Sequence, residues 1–345
     1  MKITMLGTSG SGKTSYMSAM SELFFYDNVN GYSITNREND YNGSAFINKG
    51  FNQINSIYNK GKFPSGTSSS IIMPLELKYM GQHIIDIDWI DYRGGAIKEL
   101  ALGVETPQNS EIFAALMASD VVMIFVDAAE LMVCSNIITA RSRVGANEIS
   151  QLLKLVLRKK HIDIIFILSK ADSSIINIKR DFEILKEKIQ RIYSNFFNDT
   201  NTSIANYPVI PVGAVGYGNV KTTYEWKTNN DGGTTLIFNN TINNFGNVYP
   251  VNVSASFACA LLKCLDSESN NLTTQADDLA EELKCLSSNF GPVKNLLDIL
   301  FGSHRRERIY DLREAILESR GELLKLNPHR PQLERIAKTI RIGGQ

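Results

Sequence analysis

The sequence predicts an α/β fold: a doubly wound, mostly parallel sheet with one antiparallel strand, followed by a C-terminal helical appendage. Three observations carry this. Short apolar runs rich in Ile and Val alternate with longer amphipathic segments from the first residue to about 214. A glycine-rich turn separates the first such run from the first helix, and beyond position 274 only helical patterns remain.

The strands are expected at Lys2 to Leu6, Ile71 to Tyr79, His83 to Ile90, Val121 to Val126, Ile164 to Leu168 and Val209 to Val212. Met80-Gly81 is short enough for a hairpin between the second and third, whereas the other links are long enough for crossover helices, so one strand runs against the rest. A first helix is expected over about 14 to 26. Phe46, Ile47, Phe51, Ile54 and Tyr58 recur at helical spacing ahead of Gly61, which reads as an extra helix followed by a loop.

Residues 217 to 250 change composition to Asn, Thr and Gly, and the runs Thr222 to Trp226 and Thr234 to Phe238 flank Asn229-Asn230-Asp231-Gly232-Gly233. This reads as a peripheral β-hairpin insertion. A helix over 252 to 265 completes a first domain of residues 1 to 265, and Asp266 to Thr274 reads as a polar linker. Residues 266 to 345 form a helical region with helices near 275 to 287, 292 to 301, 304 to 326 and 331 to 341, with Asn327-Pro328 as a stop.

Composition excludes several function classes. The 345 residues exceed any single small module, and 43% apolar with 21% charged residues is a globular balance. Thirty-six basic residues offset thirty-six acidic ones, so no global field favours nucleic acid or an anionic membrane. The four cysteines show no CxxC pairing, and the four histidines are scattered singly, which argues against a zinc site. No apolar run approaches the roughly 20 residues of a membrane span, and MKITMLG turns to Gly and Ser before a signal core develops, so a cytoplasmic location is expected.

The strongest chemical signal is Gly7-Thr8-Ser9-Gly10-Ser11-Gly12-Lys13-Thr14, which fits GxxxxGK[ST] between a strand and a helix. Glycines let backbone N–H groups turn inward around phosphates, and the helix N-terminus adds positive potential. Lys13 can reach the β- and γ-phosphates and the Thr14 hydroxyl can ligate Mg²⁺. Gly7, Ser9, Gly10, Ser11, Gly12, Lys13, Thr14 and Ser15 are therefore the candidate phosphate-binding residues.

After the third strand comes Asp91-Tyr92-Arg93-Gly94, where an Asp can hold Mg²⁺ through water and the Gly94 N–H can meet the γ-phosphate. Asp86 and Asp88 fall on the solvent side of that strand. After Ile164 to Leu168 comes Ser169-Lys170-Ala171-Asp172. A carboxylate there can accept from both the N1–H and the 2-amino group of guanine, a pairing adenine does not offer, and Lys170 can lay its stem across the base.

In this order, GTSGSGKT, DYRG and SKAD resemble the motifs of a GTPase of the TRAFAC class of P-loop proteins, over roughly residues 1 to 265. The resemblance implies GTP or GDP with Mg²⁺ as ligands, a molecular switch that hydrolyses GTP, and two further elements. One is a switch Thr: Thr67 in Phe63-Pro64-Ser65-Gly66-Thr67 is the best candidate Mg²⁺ ligand, with Thr35 and Ser68 to Ser70 as competitors. The other is a Ser-Ala loop: Gly213-Ala214 follows the sixth strand, where the Ala214 N–H could meet guanine O6, and Ser254-Ala255 is its rival. The metal set is then Thr14, Thr67 and Asp91, and the catalytic set Lys13, Thr67 and Gly94. The long segment before Thr67, FPSGT and DYRGG are also similar to bacterial double-GTPase proteins.

Departures from the pattern matter. Ser169 stands where Asn is usual and Gly213 where Ser is usual. Gly95 follows DxxG where many members place a Gln or His to orient water, so intrinsic turnover should be slow unless a partner or a second copy supplies the group. Gly10 stands where cation-activated relatives carry Asn, so potassium activation is not indicated. Arg93, Arg141 and Arg143 are candidate charge stabilisers beside the plainer reading of solvated surface arginines. Gly302 to Gln345 holds ten basic residues against six acidic ones, read as helices for a protein partner or for self-association rather than for an anionic surface. A non-hydrolysing GTP-bound scaffold and a P-loop ATPase are the rival functions.

Overall fold

A computed structural model of the chain describes residues 1–26, 28–37, 52, 56–57, 60–61, 63, 71–91, 107–228, 234–243, 248–287 and 294–342. Seven strands form one sheet: β1 (Lys2–Leu6), β2 (Tyr32–Asn36), β3 (Ile71–Tyr79), β4 (Gln82–Asp91), β5 (Val121–Asp127), β6 (Asp163–Ser169) and β7 (Val209–Pro211). Their order is β2-β3-β4-β1-β5-β6-β7. β4, β1, β5, β6 and β7 pair in parallel, whereas β3 pairs antiparallel with both β2 and β4, so β3 alone runs against the rest.

Helices cover both faces, as parallel strands require. All seven residues of β5 are buried, and their alternation sorts them. Val122, Ile124 and Val126 join Leu6, Ile90, Phe166 and Leu168 in one core, which is closed by α2 (Pro107–Ala118), α3 (Ala128–Val133), α4 (Ile137–Arg143), α5 (Ala146–Leu157), α6 (Ile178–Ile192) and α7 (Ser194–Thr200). On the other face Phe125 meets Tyr16 of α1 (Lys13–Ser21) at 5.2 Å, and Trp89 meets Phe257 at 5.1 Å between ring centroids.

Several sequence expectations change. The first helix is α-helical only to Ser21 and continues as a π-turn over Glu22–Tyr26. β2 was not expected: it carries two buried side chains, Tyr32 and Ile34, and owes its place to pairing with β3. The extra helix on Phe46, Ile47, Phe51, Ile54 and Tyr58 lies outside the described residues; Gly61, at φ +59°, does donate its N–H to the Ile57 carbonyl at 3.1 Å. β8 (Val220–Thr228) and β9 (Thr234–Ile242) form the expected hairpin as a separate two-stranded sheet. Far from peripheral, its root packs Val220 and Ile242 with Val215, Val248 and Ile57.

The polar linker does not exist: α8 runs unbroken over Val253–Ser287. Leu265, Leu272 and Ala276 are buried along it, so one apolar stripe carries the helix through a polar stretch that weak propensity alone would break. α9 (Lys294–Leu326) likewise joins the two helices expected on either side of Gly302, and it stops as expected before Asn327-Pro328. The last helix, α10, is Arg330–Ala337, shorter than expected.

The chain divides into two compact units, Met1–Ala260 with Arg335–Gln345, and Leu261–Glu334. In the second, Leu312 and Ile316 are buried and Arg308 pairs with Glu282 at 2.9 Å. No helix among the described residues is long and apolar enough to cross a membrane.

Candidate functional site

β1 delivers the glycine-rich loop to the C-terminal edge of the sheet, at the end of its central strand, where α/β proteins build their sites. The loop needs its glycines. A Cβ on Gly7 would lie 2.9 Å from the Phe125 carbonyl oxygen, and Gly10 and Gly12 adopt φ of +77° and +90°. Gly12 is the N-cap of α1, so the helix opens directly into the turn and its first N–H groups have no intrahelical acceptor.

Lys13 is buried and donates to the Gly7 carbonyl at 2.8 Å and the Thr8 carbonyl at 3.2 Å. Burial lowers its pKa, and the negative charge of Asp91 opposes that shift. Asp91 is itself buried at the end of β4, in register with Met5 of β1, which brings it beside the loop.

The SKAD segment leaves β6 and meets the same loop. The Ser169 hydroxyl donates to the Ser11 carbonyl at 2.6 Å and to the Val126 carbonyl at 3.2 Å, tying the loop to β5 and β6. Lys170 adopts φ +56° and pairs with Asp127, whose carboxylate also caps α3 by accepting from Ala129 and Glu130 N–H groups.

Asp172 is buried, and its Oδ2 accepts from the N–H groups of Val215 at 2.8 Å and Gly216 at 3.1 Å. Burial pushes its pKa up to about 6 despite those bonds. The departure at Gly213 now has a cause: a Cβ there would lie 2.7 Å from the Asp172 Cβ, so Asp172 fills the space a Ser would need.

One cavity of about 190 Å³ joins these parts: Ser9, Gly10, Ser11, Gly12, Lys13, Thr14 and Ser15 line it together with Ser169, Lys170, Asp172 and Ala214. The sequence reading missed Tyr16, Phe63, Ser173, Val212, Val220 and Asn240, which also line it. Only the Thr and Asn content of the hairpin hinted at the last two. Gly7, Gly213 and Asp91, expected at the site, are not among the residues that line it.

The remaining candidates part ways. Thr67, Gly94, Arg93 and Gly95 lie outside the described residues, as do Ser68 to Ser70. Thr35 sits within β2, paired with Glu76. Ser254 and Ala255 belong to the first turn of α8 and do not line the cavity, so Gly213-Ala214 is the loop brought to it. Arg141 donates to the Arg191 carbonyl and Ser194, and Arg143 to Glu130 and the Leu236 carbonyl, so both arginines tie elements together. Asp88 pairs with Arg37 at 2.7 Å, and Asp86, half exposed, pairs with it at 3.3 Å.

A glycine-rich turn at a helix N-terminus with one buried lysine has the donor chemistry for an anion, and the buried carboxylate of Asp172 on the same cavity can accept N–H groups. Neither a family model nor a curated protein matches the chain in sequence.

Proposed function

We propose that this chain binds GTP in the cavity and hydrolyses it to GDP and phosphate in a Mg²⁺-dependent reaction, acting as a nucleotide-controlled switch. The observation that carries the reading is that the glycine-rich loop and the carboxylate of Asp172 open onto one cavity. On this reading the Lys13 ammonium exchanges the Gly7 and Thr8 carbonyls for phosphate oxygens, and the N–H groups of residues 9 to 15 bind the α- and β-phosphates. Asp172 accepts the guanine N1–H and 2-amino protons, and the Lys170 stem covers one face of the base.

The Thr14 hydroxyl and the Asp91 carboxylate, with Thr67 by resemblance, form a set of hard oxygen donors that suits Mg²⁺. When bound, the ion neutralises charge that develops on the phosphate oxygens. The attacking water receives no side-chain help from Gly95, so turnover is slow and rises when a partner or a second copy supplies the group. Tyr310, Leu317 and Leu324, exposed at seven-residue intervals on α9, support such an association.

The test is equilibrium binding of GTP and ATP with Mg²⁺, followed by phosphate release at rising protein concentration. GTP should bind at least tenfold tighter than ATP, and Lys13→Ala should lose GTP about a hundredfold or more, the scale of charge-assisted bonds to phosphate. Equal affinity for ATP would overturn the guanine assignment, and retained GTP affinity in Lys13→Ala would overturn the site. Tight GTP binding with no hydrolysis at any concentration would favour the non-hydrolysing scaffold, the reading that Gly95 allows.

A further inference from the structure

The hairpin root adds a polar side chain to the cavity that Asp172 also lines. β8 is fastened to the SKAD segment at several points: Ser173 bridges Val220 in parallel, Ser174 N–H donates to the Val220 carbonyl at 2.9 Å, and Thr222 N–H donates to the Ser174 hydroxyl at 2.9 Å. Within this attachment runs a directed relay. The Ser173 hydroxyl donates to the Thr222 hydroxyl at 2.8 Å, and the Thr222 hydroxyl donates to Asn240 Oδ1 at 2.8 Å. Ser173 and Thr222 are both buried, and Thr222 faces Asn240 directly across the hairpin.

We infer that Asn240 is a specificity-determining residue of the nucleotide site, its side-chain amide group donating to an acceptor on the purine base. The inference deepens the guanine-nucleotide reading and rests on it. In the structure it is the amide oxygen of Asn240 that faces the Thr222 hydroxyl. Because Thr222 gives its only hydroxyl proton to Oδ1, the side chain has its –NH₂ to offer, and Asn240 lines the cavity. It does so with Ser173, the residue that follows Asp172, and with Val220, which the backbone ties to Ser173 and Ser174.

Guanine presents donors at N1 and at the 2-amino group and acceptors at N3, O6 and N7. A carboxylate with amide donors on the same cavity, the Asn240 –NH₂ beside the backbone N–H already assigned to Ala214, complements that alternation, whereas a carboxylate alone reads only half of it. The hairpin therefore belongs to the binding site, and its Thr and Asn content is what the relay requires.

Asn240→Asp separates contact from scaffolding. It keeps the oxygen that accepts from Thr222 and removes the –NH₂, so a purely structural Asn240 would tolerate it. GTP and GDP affinities should both fall, by the same factor of roughly three to ten for one lost hydrogen bond and more where the new carboxylate repels the base acceptor. Asn240→Ala should lose a similar three- to tenfold, and Asn239→Ala, on the exposed side of β9, should bind as the unaltered protein does. The melting temperature of each variant serves as a check on folding. Unchanged affinity in both Asn240 variants, or a loss confined to GTP, would overturn the inference and leave the nucleotide reading standing. Absence of saturable guanine-nucleotide binding by the unaltered protein would overturn both.

Discussion

Asp172 sits where two opposing effects meet. Burial favours its neutral form, the N–H groups of Val215 and Gly216 favour its charged form, and burial wins, which sets the carboxyl at about 6 against an ordinary value of 3.8. The consequence for ligand binding has a definite sign. On the proposed guanine reading the base donors need the carboxylate, so GTP affinity should rise with pH through about 6 and fall below it, while Asp172→Asn should flatten that dependence and admit xanthine nucleotide in place of guanine. Calorimetric titration from pH 5 to 8 checks this, and a flat profile in the unaltered protein would count against Asp172 as the acceptor. For the fold the sign is opposite. The folded carboxyl holds its proton more tightly than the unfolded one, so this group favours folding below about 3.8, and that contribution is lost as pH rises through about 6.

Among elements, the glycine-rich loop separates two demands that look alike in sequence. Gly7 lacks space, since its Cβ would press on the Phe125 carbonyl at 2.9 Å and on Ser11 Oγ at 2.5 Å, whereas a Cβ on Gly10 would meet nothing within 4 Å and only its φ of +77° resists a side chain. Gly7→Ala should therefore cost roughly 1–3 kcal/mol of overpacking, and Gly10→Ala about 1–2 kcal/mol of backbone strain. Urea unfolding of the two variants measures both. Equal and negligible losses would show that the loop tolerates a Cβ at either place. The loop itself was legible from sequence because its glycines, Lys13 and Thr14 are contiguous, β1, β5 and β6 were legible because they are apolar and buried, and β4 because its polar and apolar residues alternate beside the Met80-Gly81 hairpin. β2 was not, because only Tyr32 and Ile34 of its five residues are apolar and its stability comes from β3. The unbroken α8 was hidden for a related reason: Asp266 to Thr274 is polar on the faces that meet solvent, while Leu272 holds the stripe. The part of the site on the hairpin stayed hidden because Asn240 reaches the cavity only through tertiary hydrogen bonds.

Over the whole molecule, the segment after α10 returns to the seven-stranded sheet. Asn252, at φ +59°, donates to the carbonyls of Pro211 at 2.7 Å and Arg341 at 2.8 Å and accepts from the Arg341 N–H at 2.8 Å. This one side chain fastens the segment after α10 to β7, the strand that leads into Gly213 and Ala214. Asn252→Ala should cost about 2–3 kcal/mol for the three bonds and should open residues 335 to 342 to protease. Denaturant melts and limited proteolysis test this together, and an unchanged digestion pattern would show that the segment is held by other contacts.

That the cavity draws its walls from Ser9 at one extreme and Asn240 at the other has a consequence for the history of each molecule. β1 lies between β4 and β5, so it waits for partners some eighty and a hundred and twenty residues later. Such distant pairings are slow to form. A chain still on the ribosome with only β1 to β6 emerged has the glycine-rich loop but lacks Ala214, Val220 and Asn240, so the cavity is incomplete until synthesis has passed the hairpin. If the proposed guanine nucleotide is the ligand, its capture is a late event in maturation, and guanine nucleotide supplied during refolding should raise the yield of native protein without quickening its earliest phase.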